Sequence, residues 1–179
     1  RELGLDKKTL VIFTSDNGGA LNHGSNNSPL RGAKGSTLEG GMRVCTIAWW
    51  PGQIPAGTET AAISGMLDVL PTLAGRAGAP LPQGRVLDGV DLWPALTGDA
   101  QPRKVMHYFR GPNLEAVRQG PWKLHLKSGE LYNLEKDIGE ATNVAADNAI
   151  MVTELRSLAN LMNAELGDGE FGPGCRPLG

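Results

Sequence analysis

The stretch from Thr9 to Thr14 is nearly all apolar, and it ends directly before Ser15-Asp16-Asn17-Gly18. A continuous apolar run of this length is typical of a strand that is covered on both faces. Asp16 and Asn17 then place a carboxylate and an amide oxygen where the strand ends, and hard cations such as Ca²⁺ bind oxygens of this kind. The alternative is that Asn17-Gly18 forms only the turn that follows the strand.

Composition and charge exclude some classes of function. The 179 residues have a net charge of −2 and no basic stripe, so we expect no nucleic-acid partner. No apolar run approaches the roughly 18–20 residues that a membrane helix needs, so we expect no membrane span. A chain in which 40% of the residues are apolar is long enough for one domain, or for a larger piece joined to a smaller one.

A second apolar run, from Val44 to Trp50, predicts another buried strand. The loop between the two strands is long and is rich in Gly, Asn and Ser. Long loops inside a compact domain are usually functional. Asp68 is a plausible N-cap for a helix that ends at Gly78, and its apolar residues recur at helical spacing. Residues 79 to 103 form a connector rich in Pro and Gly, with a short helix predicted from Leu92 to Leu96.

After residue 103 the pattern changes to short, partly alternating segments, which predict a small antiparallel sheet. The predicted strands are Lys104 to Phe109, Glu115 to Arg118, Trp122 to Leu126 and Glu130 to Leu134. In the third strand the alternation places Lys123 and His125 on a face that we expect to be wet. A helix then begins after Asp147 or Asn148 and reaches Leu166, with the apolar stripe Met151, Leu155, Leu158, Met162 and Leu166 as its core face.

Several short motifs occur in a fixed order along the chain, and together they are more specific than any one of them. They are Asp16-Asn17-Gly18, Pro29-Leu30-Arg31-Gly32 with Lys34, Glu39-Gly40-Gly41-Met42-Arg43, Trp49-Trp50-Pro51-Gly52, Asp68-Val69-Leu70-Pro71-Thr72, Leu87-Asp88-Gly89, Trp122-Lys123-Leu124 and Leu131-Tyr132-Asn133-Leu134. This order resembles the C-terminal half of the sulfatases, the arylsulfatase and N-acetylgalactosamine-6-sulfatase branch of the alkaline phosphatase superfamily.

The resemblance implies a fold class and a division into domains. The class is α/β: the C-terminal part of an alkaline-phosphatase-like mixed-sheet sandwich, followed by a small antiparallel sheet with a packed helix. The implied divisions are 1–103 for part of the catalytic domain, 104–167 for the small subdomain and 168–179 for a flexible tail.

The resemblance also assigns roles to residues. It implies that Asp16 and Asn17 are Ca²⁺ ligands and that Lys34 contacts the sulfate, since an ammonium with three donors suits an anionic oxygen cluster. Two protein oxygens are too few for the six to eight that Ca²⁺ prefers, so the site is incomplete in this chain. Arg31, Glu39 and Arg43 are expected to brace the site, although Glu39 and Arg43 are also spaced for a local ion pair. The alternative for Lys34 is a solvated loop lysine.

Histidines offer weaker candidates for substrate binding. His23 lies in the long loop and His107 lies on the first strand of the small sheet. Either could approach the substrate, but a solvated loop position for His23 and packing for His107 are the alternatives. The family's acid and base histidines come from upstream segments, so these residues do not inherit that role.

The cysteines do not provide a nucleophile. In the family a formylglycine made from the cysteine of Cys-x-Pro-x-Arg attacks sulfur, and Cys175-Arg176-Pro177-Leu178-Gly179 has glycine where the arginine belongs. This match lies in the Gly/Pro-rich tail and is interpreted as coincidence. Cys45 is predicted to be an inert buried thiol.

The sequence therefore predicts the C-terminal fragment of a sulfatase that hydrolyses aryl or sugar sulfates, and a fragment that is inactive alone. A related phosphatase or phosphonate hydrolase fragment, or a non-catalytic module, stays open as an alternative. A strand such as Thr9 to Thr14 without upstream neighbours predicts self-association or a partner chain. The compartment is unknown, and periplasm, extracellular space or lysosome is implied by the resemblance only.

Overall fold

The computed structural model describes residues 2–98, 100–166 and 176. Short 3₁₀ turns occur at Asp6–Lys8, Leu21–His23 and Met66–Asp68. The strands and α-helices follow in the order β1 (Val11–Thr14), α1 (Glu39–Met42), β2 (Thr46–Trp49), α2 (Val69–Ala77), α3 (Trp93–Thr97), β3 (Val105–Arg110), β4 (Asn113–Gln119), β5 (Trp122–His125), β6 (Leu131–Asn133) and α4 (Ala149–Leu166). None of the helices in these described ranges has the length and apolar character that crossing a membrane requires.

The chain forms two compact units. The first consists of Arg1–Asp16 and Val44–Lys104, and the second of Asn17–Arg43 and Val105–Gly179. The loop segment after Asp16 therefore belongs to the same unit as the small sheet. The domain boundaries inferred from the sequence, 1–103, 104–167 and 168–179, describe the family's organisation and stay a prediction.

In the first unit β1 and β2 form a two-stranded antiparallel ribbon in which Phe13 pairs with Ile47. Both side chains are exposed, by 72% and 61% respectively. The expectation that these apolar runs are covered on both faces is therefore wrong for the part of the chain that is described. Cys45 precedes β2 and is exposed, so the prediction of a buried thiol is also wrong. The reason is that β2 pairs only with β1 and nothing described covers the residue before it.

The α2 helix confirms the helix predicted after Asp68, and Gly78 ends it in the left-handed conformation with φ of 64°. The carboxylate of Asp68 does not cap α2, however. It accepts hydrogen bonds from the backbone N–H groups of Gly65, at 2.8 Å, and Val90, also at 2.8 Å, and it pairs with Arg103. Asp68 is fully buried, so this pairing offsets the cost of removing its charge from water.

In the second unit β3, β4, β5 and β6 form a four-stranded antiparallel sheet in sequence order. This arrangement confirms the predicted small sheet. The α4 helix packs against β4 and β5, and Val117, Leu124, Leu131, Leu155 and Ala159 form the core between them. The predicted stripe is confirmed for three of its residues, since Leu155 is fully buried and Met151 and Leu158 pack beside it.

The opposite face of this sheet is not wet. Lys123 is fully buried on it, and the side chain of His125 is only 13% exposed. The prediction that these two residues face water is wrong. Alternation along β5 correctly separated the two faces, but the second face is covered by Glu39 and Glu140, which bond to these side chains.

Candidate functional site

Backbone hydrogen bonds hold the loop that carries Asn17 and Lys34. Gly18 N–H donates to the Gly41 carbonyl at 2.9 Å, and Lys34 N–H donates to the Gly19 carbonyl at 3.1 Å. The Asn27 side chain accepts from Gly19 N–H at 3.0 Å and donates to the Gly19 carbonyl at 2.9 Å. The backbone of Lys34 is thus tied to Gly19, two positions after Asn17, although Lys34 and Asn17 are 17 positions apart in sequence.

Three glycines, Gly18 in this loop and Gly40 and Gly41 in α1, allow backbone segments to approach more closely than any side chain permits. A Cβ atom on Gly18 would overlap the carbonyl oxygen of Gly40. A Cβ on Gly41 would overlap the carbonyl oxygen of Ser36, and one on Gly40 would lie 2.6 Å from the carbonyl oxygen of Arg31. The backbone path at Gly40 and Gly41 is therefore tight, and Gly18 shares it.

Lys34 is exposed, and its ammonium makes no hydrogen bond or ion pair with any of the residues that the structure describes. Asn17 is half-buried in the same unit, whereas Asp16 is exposed and belongs to the first unit. Carboxylate and amide oxygens remain suitable donors for Ca²⁺. Among the described residues, no group of three or more His, Cys, Asp or Glu side chains could hold a metal ion.

Arg31 lies against the small sheet. Its guanidinium donates from Nη2 to the Tyr132 hydroxyl at 3.3 Å, and its Cζ lies 5.4 Å from the centre of that ring. Its carbonyl accepts a hydrogen bond from Gly40 N–H at 2.7 Å. Burial raises the pKa of the Tyr132 hydroxyl, and the guanidinium opposes this shift. Arg31 therefore bonds to the sheet through its side chain and to α1 through its backbone.

A set of interacting side chains, which we call the buried charge cluster, joins α1 to the sheet. It consists of Glu39, Arg43, Arg118, Lys123, His125 and Glu140. At its centre, Lys123 Nζ lies 2.9 Å from Glu39 Oε1 and 3.1 Å from Glu140 Oε1, and 4.6 Å from the centre of the Tyr108 ring. The ammonium is therefore desolvated between two carboxylates and an aromatic face, where a cation is stabilised.

Glu140 binds the start of α1. Its Oε2 accepts the Glu39 backbone N–H at 2.7 Å, and its Oε1 lies 2.8 Å from His125 Nε2. Its φ of 52° is in the left-handed region, which is unfavourable for a residue with a Cβ. Burial alone would raise the pKa of Glu140, but the bonds from His125, Lys123 and the Glu39 backbone together lower it. The carboxylate is thus held in its charged form.

Glu39 carries a second set of contacts through its other oxygen. Its Oε2 lies 3.2 Å from Arg43 Nη1 and 3.9 Å from Arg118 Nη1. The local pairing of Glu39 with Arg43 is therefore present. Burial, and then the Glu39 charge, raise the pKa of Tyr108 well above its ordinary value.

The two candidate histidines have different surroundings. His23 is exposed at the end of the 3₁₀ turn Leu21–His23. His107 is half-buried on β3 and pairs with Val117, whose side chain lies in the core beneath α4. The placement of His107 favours packing, and the placement of His23 favours a solvated loop. Cys175 lies outside the described residues.

Sequence reasoning did not identify Glu140 or Asn27, and it assigned Lys123 to a wet face. The sequence did contain a signal that Lys123 is more than a surface residue, because Trp122-Lys123-Leu124 is one of the ordered motifs. Glu140 follows Asp137-Ile138-Gly139 in an apparent surface turn, and nothing in the spacing points to burial. Asn27 is one of several polar residues in the loop and is distinguished only by its hydrogen bonds.

Comparisons with known proteins agree with these findings. The family model described as Sulfatase matches residues 1–79. N-acetylgalactosamine-6-sulfatase of Canis lupus familiaris is 43% identical over 129 residues, which cover 70% of this chain and 25% of the relative. Arylsulfatase A of Homo sapiens is 44% identical over 133 residues, which cover 69% of this chain and 26% of the relative. The chain thus spans about a quarter of the length of these curated relatives.

Solved structures give the same result. The PsFucS1 sulfatase from Pseudoalteromonas sp. superposes with a TM-score of 0.82 at 27% identity, covering 91% of this chain and 38% of that one. Ps i-CgsB, in complex with k-i-k-neocarrahexaose, superposes with a TM-score of 0.78 at 34% identity, covering 89% and 38%. The predicted α/β class of alkaline-phosphatase-like fold is confirmed by these neighbours together with the antiparallel sheets and packed helix. The chain belongs to the sulfatase family.

Proposed function

We propose that these residues serve the hydrolysis of sulfate esters, with Lys34 binding the sulfate oxygens. The observation that carries this proposal is the exposed ammonium of Lys34, which no described residue bonds, on a loop whose backbone is tied to Gly19, next to the Asn17 segment. A positioned cation stabilises the charge that develops on the sulfuryl oxygens, and such stabilisation is usually the largest contribution to catalysis. Arg31 and Glu39 support this loop through the sheet and the buried charge cluster.

Asp16 and Asn17 would supply two oxygen ligands to a Ca²⁺ ion, the metal that sulfatases generally use. Their hard oxygen atoms suit that ion. When bound, the ion would add positive charge for the sulfate oxygens. Ca²⁺ prefers six to eight oxygens, so two residues form an incomplete site and we expect weak binding by these residues alone.

Hydrolysis also needs a nucleophile, which this sequence does not supply. The family's formylglycine arises from Cys-x-Pro-x-Arg, and the segment at Cys175 has glycine in the last position. We therefore propose that the chain contributes the sulfate contact and the small sheet to a sulfatase site, and that it is inactive by itself.

We infer that the substrate is a sugar or aryl sulfate. Among the relatives, one is named N-acetylgalactosamine-6-sulfatase and another arylsulfatase A, and a structural neighbour was solved with a neocarrahexaose. These names favour sulfate over phosphate or phosphonate esters, so the phosphatase alternative is not favoured.

The exposed apolar ribbon supports association with another polypeptide surface. Phe13 and Ile47 pair across β1 and β2, and Trp49, also in β2, is 38% exposed. Exposed apolar patches of this kind mark interaction sites or cause aggregation. Sedimentation of the 179-residue chain should show species larger than a monomer, and replacing Phe13 and Ile47 with threonine should shift it toward the monomer. A monodisperse monomer of the unmodified chain would contradict this expectation.

The activity is tested with a full-length sulfatase that contains these residues, and not with the 179-residue chain, which is expected to be inactive alone. We expect the full-length protein to hydrolyse an aryl sulfate, and we expect Lys34→Gln to lower its kcat/KM by about 10²- to 10³-fold, as removal of a transition-state donor does elsewhere. Lys136→Gln, at another exposed lysine of the same unit, is the matched control and should leave the rate unchanged. The proposal is wrong if Lys34→Gln hydrolyses the ester as fast as the control, or if phosphate esters are the better substrates.

A further inference from the structure

The irregular segment of residues 137–142 follows β6 and brings Glu140 to the start of α1. Glu140 Oε2 accepts the Glu39 backbone N–H at 2.7 Å, across 101 positions of sequence. The first N–H groups of a helix have no partner within the helix and need an acceptor from elsewhere. The residue before α1 is Leu38, whose side chain makes no capping hydrogen bond. The charged Glu140 side chain therefore supplies the acceptor that the local sequence lacks.

The α1 helix in turn holds the two backbone segments that carry the candidate site residues. Gly40 N–H donates to the Arg31 carbonyl at 2.7 Å, and Arg31 lies three positions before the lysine that is proposed to bind sulfate. The Gly41 carbonyl accepts the N–H of Gly18, the residue after Asn17, at 2.9 Å. A helix of four residues is too short to be stable by itself, so external contacts must fix its position. A displacement of α1 would therefore move both segments together.

The irregular segment is itself fixed by its own hydrogen bonds, and it touches the same loop. Asp137 Oδ2 accepts the backbone N–H groups of Ala141, at 2.8 Å, and Thr142, at 2.7 Å. A Cβ atom on Gly139 would lie only 3.0 Å from the Pro29 carbonyl oxygen, so the two backbones pack directly against each other. The segment thus contacts the loop region at two places, at α1 and at Pro29.

The backbone of Glu140 is strained, with φ of 52° in the left-handed region that disfavours residues with a Cβ. Such strain persists only where the surroundings hold the residue in place, and it is common at functional sites. Here the fully buried carboxylate is held from two other directions, by His125 Nε2 at 2.8 Å and by Lys123 Nζ at 3.1 Å. The fold therefore keeps an unfavourable conformation that directs one carboxylate oxygen at α1.

We propose that Glu140 is a positioning residue for sulfate ester hydrolysis, because it fixes α1 and, through α1, the loop that presents Lys34 to the sulfate. This inference rests on the proposed function and adds to it a residue that does not touch the substrate. The carboxylate acts through backbone geometry and takes no part in bond cleavage. A misplacement of about 1 Å can lower a rate by roughly 10²-fold, so a modest movement of the loop is enough for a measurable effect.

The test is a double-mutant cycle in a full-length sulfatase that contains these residues, with kcat/KM for an aryl sulfate as the readout. Glu140→Ala removes the acceptor of the Glu39 N–H, and we expect it to lower kcat/KM by about tenfold. In a Lys34→Gln background the same substitution should lower kcat/KM by less than about twofold, because the group that Glu140 positions is already absent. Circular dichroism checks that each variant is folded under the assay conditions.

Leu155→Ala is the matched control for lost stability. It creates a cavity beneath α4, on the other face of the same sheet, and leaves α1 unaltered. We expect folded Leu155→Ala to change kcat/KM by less than about twofold. Hydrogen exchange adds a readout that does not depend on activity. Glu140→Ala should reduce the protection of residues 17–43 more than that of β3 and β4, whereas Leu155→Ala should reduce the protection of the sheet at least as much as that of the loop.

An unchanged kcat/KM in Glu140→Ala would overturn the inference, as would an equal loss in the Lys34→Gln background, which indicates an effect that does not pass through Lys34. If Glu140→Ala does not fold, Glu140→Met fills a similar volume without a carboxylate, and the same non-additive loss is expected of it. The two proposals fail separately. Full activity of Lys34→Gln overturns the proposed function, whereas an impaired Lys34→Gln enzyme beside a fully active Glu140→Ala enzyme overturns only the positioning role.

Discussion

Replacing Lys123 with methionine should destabilise the second unit strongly. The substitution keeps the length of the side chain but removes the ammonium that lies 2.9 Å from Glu39 and 3.1 Å from Glu140. Two carboxylates would then remain close together, buried and without their shared cation. Breaking a buried ion pair by removing one partner leaves an uncompensated charge, which is costly.

The magnitude follows from opposing contributions. At an effective dielectric constant of about 20, each attraction at these separations amounts to about 5–6 kcal/mol. Desolvation of the ammonium costs several kcal/mol in the unmodified protein, and the variant recovers this cost. These two contributions oppose each other, so we take the expected loss in the free energy of unfolding from the range observed when one member of a buried pair is removed, about 3–5 kcal/mol.

Urea unfolding followed by circular dichroism measures this loss, and hydrogen exchange locates it. The Glu39 amide bonds to Glu140, so its protection should fall together with that of the core of the small sheet. Lys127→Met is the matched control, because it removes an exposed lysine near the end of the same strand. We expect the control to change stability by less than about 0.5 kcal/mol.

A loss of less than about 1 kcal/mol in the free energy of unfolding of Lys123→Met would show that these ion pairs contribute no more than exposed pairs do. A second test is the double variant Lys123→Met/Glu140→Gln. Removing one carboxylate together with the ammonium should recover part of the lost stability, because the repulsion disappears. Additive losses in the double variant would show that the two side chains are not coupled.

The remaining predictions concern pH, a second buried pair, a packed glycine and the isolated chain. The pKa of Glu140 is lowered from its ordinary value of 4.5, so the stability that its carboxylate contributes is present above that pH and is lost as the pH falls through the folded pKa. Glu140→Gln should reduce the free energy of unfolding at pH 7 by about 2 kcal/mol and should make it fall less steeply on acidification. Urea unfolding from pH 7 to pH 3 measures both effects. Asp68→Asn should cost about 3 kcal/mol in thermal or urea unfolding, because the buried ion pair with Arg103 is lost. Gly18→Ala should destabilise the loop enough to raise its hydrogen-exchange rate, because the added methyl overlaps a carbonyl oxygen. The 179-residue chain should turn over no aryl sulfate in the presence of Ca²⁺, and any activity that survived Cys175→Ala would contradict the assignment of the missing nucleophile.

Two of these predictions, those for Glu140→Gln and Gly18→Ala, have matched control variants. Glu135→Gln removes an exposed carboxylate near the same turn and should leave the acid limb of the stability curve unchanged. Gly24→Ala is a poor match for Gly18, because Gly24 has φ of 84°. Gly98→Ala is better, since a Cβ there would make only an ordinary contact, 3.5 Å from the Pro94 carbonyl oxygen.

Elements with a strong repeat could be predicted from the sequence. The α4 helix was identified from its apolar stripe, and its core residue Leu155 is fully buried. The strands of the small sheet were located by alternation to within about two residues, and Gly78 correctly marked the end of α2. In each case the signal depends on local periodicity or on a backbone conformation that one residue type favours.

The environment of the polar face could not be predicted in this way. Alternation separated Lys123 from Leu124, but it gives no information on which distant segment covers a face. Glu39 is 84 residues away along the chain and Glu140 follows an irregular turn, so no local pattern links them to Lys123. The burial of Lys123 is a consequence of tertiary structure.

Among the site residues, the ordered motifs indicated Asn17 and Lys34 as one site, and the loop places their backbones near each other through Gly19. The roles assigned to Asp16, Asn17 and Lys34 stay predictions.

The second unit is built from two separate segments of the chain, and this limits which fragments of the gene can be expressed as folded proteins. Lys123 and its two carboxylates come from segments on both sides of residues 44–104, which belong to the other unit. A recombinant piece that began at Val105 would keep the strands and α4 but lack Glu39, so Lys123 would lose one of its counterions. The small sheet is therefore not expected to fold as an independent module when cut at residue 104. Co-expression with a peptide of residues 17–43, supplied in trans, should restore it.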